Sequence, residues 1–173
     1  LGLVTTALEI SELKRREQVL KTLLREVSHR SKNLLAIVQS IASQTARFTD
    51  SVDDFLLKFR GRIQSLSYSQ DLVTDSNWHG ALFLDLVRSQ IEKYIDINDE
   101  RLIIESDNPY LFPGAALHVG LALHELIINA TSFGGLSIPY GRVVISAKIQ
   151  RTEKGDEELV FHWEETNPSM PEV

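Results

Sequence analysis

The 173-residue chain is 43% hydrophobic and 24% charged, has a formal charge of −6 and contains no cysteine. That length suits one ordinary domain or two small ones; the acidic balance argues against a broad basic nucleic-acid face, and the lack of thiols excludes disulfides and cysteine-based metal sites. With no apolar run of about eighteen residues and no visible signal peptide, the reading is a cytoplasmic chain without a membrane segment.

Residue 1 is Leu rather than Met, and the chain stops at NPSMPEV, so both ends look like cuts. Residues 1–9, LGLVTTALE, are β-branched and apolar and suit a short strand. From Ser11, a plausible N-cap, the pattern turns helical. Leu13, Leu20, Val27, Leu34, Ile41 and Phe48 recur at heptad spacing, with Leu23, Ile37 and Val38 filling the same stripe. The result is a helix of about 35 residues whose sustained seam calls for a bundle or coiled-coil partner. DSVDDF restarts a helix, with Ser51 and Asp54 as a capping box and Phe55, Phe59, Ile63, Leu66 and Val73 on its apolar face. The short joint predicts an antiparallel hairpin. Two chains would bury its stripe in a four-helix bundle; a monomer packing it on another domain would do the same.

TDSNWHG, residues 74–80, breaks the pattern and reads as a linker. Beyond it a helix is expected over 81–95 and a strand over 101–105. A helix follows from Pro113 to about Phe133, closed by Gly134 and Gly135 as a C-cap. A strand over 142–150 then turns at EKGDEE into a last strand over 159–164. Helices on one face of a sheet, an α+β sandwich, is the fold class.

Three groups of residues carry possible chemistry. His29 lies about 160° from Val27 and about 140° from Leu34 around the helix, so it faces away from the seam. It reads as a surface histidine or as a phosphoacceptor. A nucleophilic imidazole must be exposed and neutral, and Arg30 and Lys32 supply charge that offsets a phosphoryl group. Asn33 lies one turn on, and Glu26, one turn back, is placed to orient the ring. The second group is His124, Glu125 and Asn129 in ALHELIINATSFGGLS. Polar side chains inside an apolar helix need partners; a hydrated Mg²⁺ with a nucleotide satisfies them, and so does a neighbouring backbone segment capped by Asn129. The third is FHWEETNP, where a carboxylate after an aromatic strand could accept from an adenine amino group, although a Trp such as Trp163 is more often simply core. GxxxxGK[ST], GxGxxG and GxSxG are all absent.

Taken in order, VSHRSKN, LHELIINATSFGGLS and WEE resemble the phosphoacceptor box, N-box and Trp-x-Glu motif of sensor histidine kinases of the HWE family, over about residues 20–168. The resemblance implies a dimerisation and histidine-phosphotransfer hairpin followed by a Bergerat-type ATP-binding α/β sandwich. It implies His29 as the phosphorylated residue and Asn129 as a Mg²⁺ ligand. It places His124, Glu125, Ser132 and Trp163 at the nucleotide site and turns Glu165 toward the adenine. ATP and Mg²⁺ are then the cofactors, and the partner is a response regulator receiver domain whose aspartate takes the phosphoryl group. Ser132 stands where the family usually has Lys, and Asn167-Pro168 where it has Gly-Pro. EISELKRRE, residues 9–17, resembles the linker that closes a PAS domain. The implied division is 1–10 as the end of an upstream sensor or linker, 11–76 as the phosphotransfer helices and 77–173 as an ATP-binding domain cut at its lid. The alternative is a non-kinase phosphotransfer protein with a degenerate ATP-binding domain.

Overall fold

The computed structural model describes residues 2–166, with side chains from Ser11 onward. Two helices open the chain: α1 (Gly2–Arg47) and α2 (Val52–Asp75). The strand expected over 1–9 is helical backbone from Gly2. Its β-branched residues cost only tenths of a kcal/mol each in a helix (~0.5 by host–guest scales), too little to end one already propagating. Three pairs with Glu four residues ahead of the cation, Glu12–Arg16, Glu17–Lys21 and Glu26–Arg30, support the exposed part of α1. The backbone N–H of Asp54 donates to Ser51 Oγ at 3.1 Å, so the expected cap of α2 is formed.

The chain divides into two compact units, 1–59 and 60–173. The boundary lies within α2, upstream of the linker expected at 74–80, because the later part of α2 packs into the second unit. Ser65, Leu66, Ser69 and Val73 are buried there.

In that unit follow β1 (Ala81–Leu82), α3 (Phe83–Ile91), β2 (Leu102–Ser106), β3 (Tyr110–Leu111), α4 (Pro113–Ser132), a 3₁₀ turn (Gly135–Ser137), β4 (Arg142–Arg151) and β5 (Glu157–Thr166). The main sheet has the order β2-β4-β5, with β2 parallel to β4 and β5 antiparallel to it; β1 and β3 form a separate antiparallel pair. The expected helix over 81–95 is thus shorter and preceded by a two-residue strand. Along β4, Val143, Ile145 and Ala147 are buried, and Leu159, Phe161 and Trp163 of β5 face the same core. Ala116, Leu123, Ile127 and Ala130 of α4, and Phe83, Leu86, Val87 and Ile91 of α3, complete it. These spacings are the helical and two-residue periods of one apolar layer between helices and sheet.

Helices α2 and α4 meet through small residues. A Cβ added to Gly120 would lie 2.0 Å from Ser69 Oγ. Gln90 Nε2 donates to Ser65 O at 3.0 Å and to Ser69 Oγ at 3.1 Å, so the buried polar groups of this seam are paired. Four helices with mixed sheets agree with a helical pair followed by an α/β domain.

Candidate functional site

His29 is exposed on α1. Its Nδ1 lies 3.5 Å from Asn33 Nδ2, one turn on, at the outer limit of a hydrogen bond. A carboxamide can present its oxygen or its NH₂ to the ring; with the oxygen accepting Nδ1–H, Nε2 keeps a free lone pair. Glu26 does not take the orienting part expected of it. Its carboxylate pairs with Arg30, the favoured i to i+4 arrangement. Lys32 is exposed and makes no ion pair among the described residues. The group therefore consists of a reachable imidazole, an amide beside it and two cations next to it in sequence.

Helix α4 carries the second group on two faces. His124 is 4% exposed and looks toward α2. It lines a cavity of about 50 Å³ with Gly61, Gln64, Tyr68, Gln90, Lys93 and Tyr94. Its Nδ1 lies 3.4 Å from the Tyr94 hydroxyl. Burial pushes its pKa down; neighbouring Glu125 opposes that shift, while Arg62 and Lys93 reinforce it. Glu125 accepts a two-pronged bond from Arg62, Nε at 2.7 Å and Nη2 at 2.8 Å. Asn129 and Ser132 lie on the solvated side. The structure thus separates His124 from Asn129, as their spacing of about 140° around a helix requires, rather than gathering them at one point.

The end of α4 meets the end of β5. The N–H groups of Phe133 and Gly134 both donate to Asn129 O at 2.9 Å, and Gly135 N–H donates to Glu165 Oε2 at 2.8 Å. Trp163 Nε1–H donates to Glu165 Oε1 at 2.9 Å. The C-cap is Phe133, and Gly134 has an ordinary negative φ. Its glycine is required for space instead: a Cβ there would lie 2.0 Å from Glu165 Oε2 and 2.8 Å from Ala130 Cα. On the other side of this turn, Arg101 Nη1 donates to Leu136 O and Ile138 O at 3.4 and 3.3 Å. Arg101 is fixed by Asp99, whose pKa its guanidinium and backbone N–H draw down to about 2. Asn167 and Pro168 lie outside the described residues.

The family model of HWE histidine kinases matches residues 26–108, which begin at the His29 box. A blue-light-activated histidine kinase of Brucella ovis is 30% identical over 165 residues, covering 95% of this chain and 33% of that protein. A second, from Brucella anthropi, is 27% identical with the same coverages. The chain is similar to histidine kinases of the HWE family.

It spans about a third of the length of these relatives. Histidine kinase signalling is the function class that the family carries. No helix among the described residues is long and apolar enough to cross a membrane. No cluster of three or more His, Asp or Glu among them could hold a metal ion. The exposed Asn129 carboxamide is a single hard-oxygen donor; that fits Mg²⁺, which binds through few protein ligands and retains water and phosphate oxygens. Two cations are not evident from the sequence pattern, Arg62 and Arg101. Each lies outside the motif it supports, and only the fold brings it there.

Proposed function

We propose that this chain carries the phosphoacceptor and nucleotide-binding parts of an ATP-dependent protein histidine kinase in two-component signalling. His29 takes the γ-phosphoryl group of ATP and passes it to an aspartate of a response regulator receiver domain. The observation that carries this reading is an exposed imidazole with Asn33 against it, on a helix within the region that matches the family.

In the step, His29 Nε2 forms the N–P bond as the bond from the γ-phosphorus to the ADP oxygen breaks, and ADP leaves. The proton on Nδ1, steadied by the Asn33 carboxamide oxygen, is then lost to water. Lys32 and the Arg30 guanidinium supply positive charge near the transferred group, a contribution from position and electrostatics. Asn129 would hold Mg²⁺ with the nucleotide phosphates, and the metal ion would neutralise phosphate charge. Glu165 offers acceptor oxygens to an adenine amino group beside the Gly134–Gly135 turn. Glu125 and His124 act from beneath, the former held by Arg62. We assign the receptor end of the protein to a PAS-type sensor on the strength of residues 9–17 alone.

The protein works as a homodimer through α1 and α2. Leu20 is 59% exposed and Val27 61% exposed in the single chain, and both belong to the heptad seam that a partner helix would bury. A monomer is the other outcome of a mass measurement.

A non-kinase phosphotransfer protein is the second reading. It is favoured by Ser132, exposed and uncharged where the family usually has a lysine. The two readings are separated by incubating the chain with γ-labelled ATP and Mg²⁺. A kinase gains a label stable to alkali and labile to acid, which a receiver domain discharges; His29→Ala gains none. Labelling only from an already phosphorylated receiver domain would establish the second reading.

A further inference from the structure

Trp163 lies on β5 opposite the fully buried Ile145, with its ring against the core. It stands two residues before Glu165, so both side chains leave the same face of the strand. Its indole N–H, a group that can only donate, is given to Glu165 Oε1 at 2.9 Å. The other oxygen of that carboxylate takes the N–H of Gly135 at 2.8 Å. Each oxygen therefore has one donor and keeps capacity for another. The turn itself is held from its other side by Arg101 through the carbonyls of Leu136 and Ile138. Gly134 admits no Cβ, so the carboxylate sits directly against backbone.

We propose that Trp163 is a positioning residue: its indole N–H fixes the Glu165 carboxylate against the Gly134–Gly135 turn, so that a nucleotide base meets an acceptor already set in place. This rests on the reading of Glu165 as the acceptor facing the base. Without the indole, the side chain of Glu165 regains rotamers that binding must then remove, and affinity falls although no direct contact with the nucleotide is lost.

The test is binding of MgADP to the parent chain and to Trp163→Phe, Glu165→Gln and the double variant. Trp163→Phe is expected to weaken binding roughly five- to tenfold, the scale of one charge-assisted hydrogen bond. Glu165→Gln weakens it further, and the double variant binds no more weakly than Glu165→Gln alone, because Trp163 acts through Glu165. Hydrogen exchange at the Gly135 amide is expected to speed up in Trp163→Phe. Should that variant fail to fold, Glu165→Gln in the intact chain is expected to shift the Trp163 indole N–H resonance. Equal MgADP affinity for parent and Trp163→Phe, losses that simply multiply in the double variant, or an unmoved indole resonance would each overturn the proposal. No binding of MgADP by the parent would instead overturn the reading of the site itself, and this proposal with it.

Discussion

Asn129 and His124 sit five residues apart on α4 and answer to different physics. Asn129 is exposed, so Asn129→Asp should leave the fold unchanged while setting a negative charge beside the phosphates. We expect MgADP affinity to fall at least tenfold with an unaltered melting temperature, measured by calorimetry on both proteins; parent-like binding would mean that Asn129 is only structural. His124 is buried and its pKa is depressed from 6.5. A group with a lowered folded pKa contributes stability that is present above its unfolded value and lost as pH falls below it. The C-terminal unit is therefore expected to lose stability as pH falls from about 7 toward 5, near the ordinary histidine range. In His124→Gln that slope should flatten. Urea midpoints across this range would show it, and equal slopes for the two proteins would place the sensitivity elsewhere.

At the scale of elements, periodicity was most informative where an element is long. The heptads of α1, the capped start of α2 and the proline-led α4 are all legible because their patterns run over several turns. The pairs β1 and β3 have two residues each, shorter than any period, and so merge with α3 or with loops. Residues 1–9 misread because a β-branched run carries the same local signal in a strand as in the first turns of a long helix. Site residues in LHELIINATSFGGLS and WEE could be named, but not their partners. Arg62 and Glu125 are 63 residues apart and Gly135 and Glu165 30 apart, distances at which no local pattern survives. The contact between α2 and α4 makes a separate expectation. Gly120→Ala should cost about 1–3 kcal/mol, the usual penalty for overpacking, because its Cβ has no room beside Ser69. A denaturant midpoint equal to that of the parent would show that the two helices can part without loss.

For the whole molecule, a long helix with exposed leucines and a compact C-terminal unit divide the work. Ile41 is buried within the single chain, so Ile41→Asp is expected to destabilise the fold by about 3–5 kcal/mol, the cost of an unpaired buried charge. Leu20 is exposed, so Leu20→Asp should keep helix content and halve the mass in solution if the seam joins two copies. Light scattering with circular dichroism separates these outcomes, and an unchanged mass would show that the seam is not an interface. The most direct measurement is where the phosphoryl group resides after incubation with ATP and Mg²⁺. The chain has five histidines. His124 is buried; His79, His118 and His162 are exposed, but of the four exposed rings only His29 has cations close beside it in sequence, Arg30 and Lys32. Mass spectrometry of peptides kept at alkaline pH should find the phosphoryl group on His29 alone; phosphate on another histidine, or undiminished incorporation in His29→Ala, would contradict the assignment.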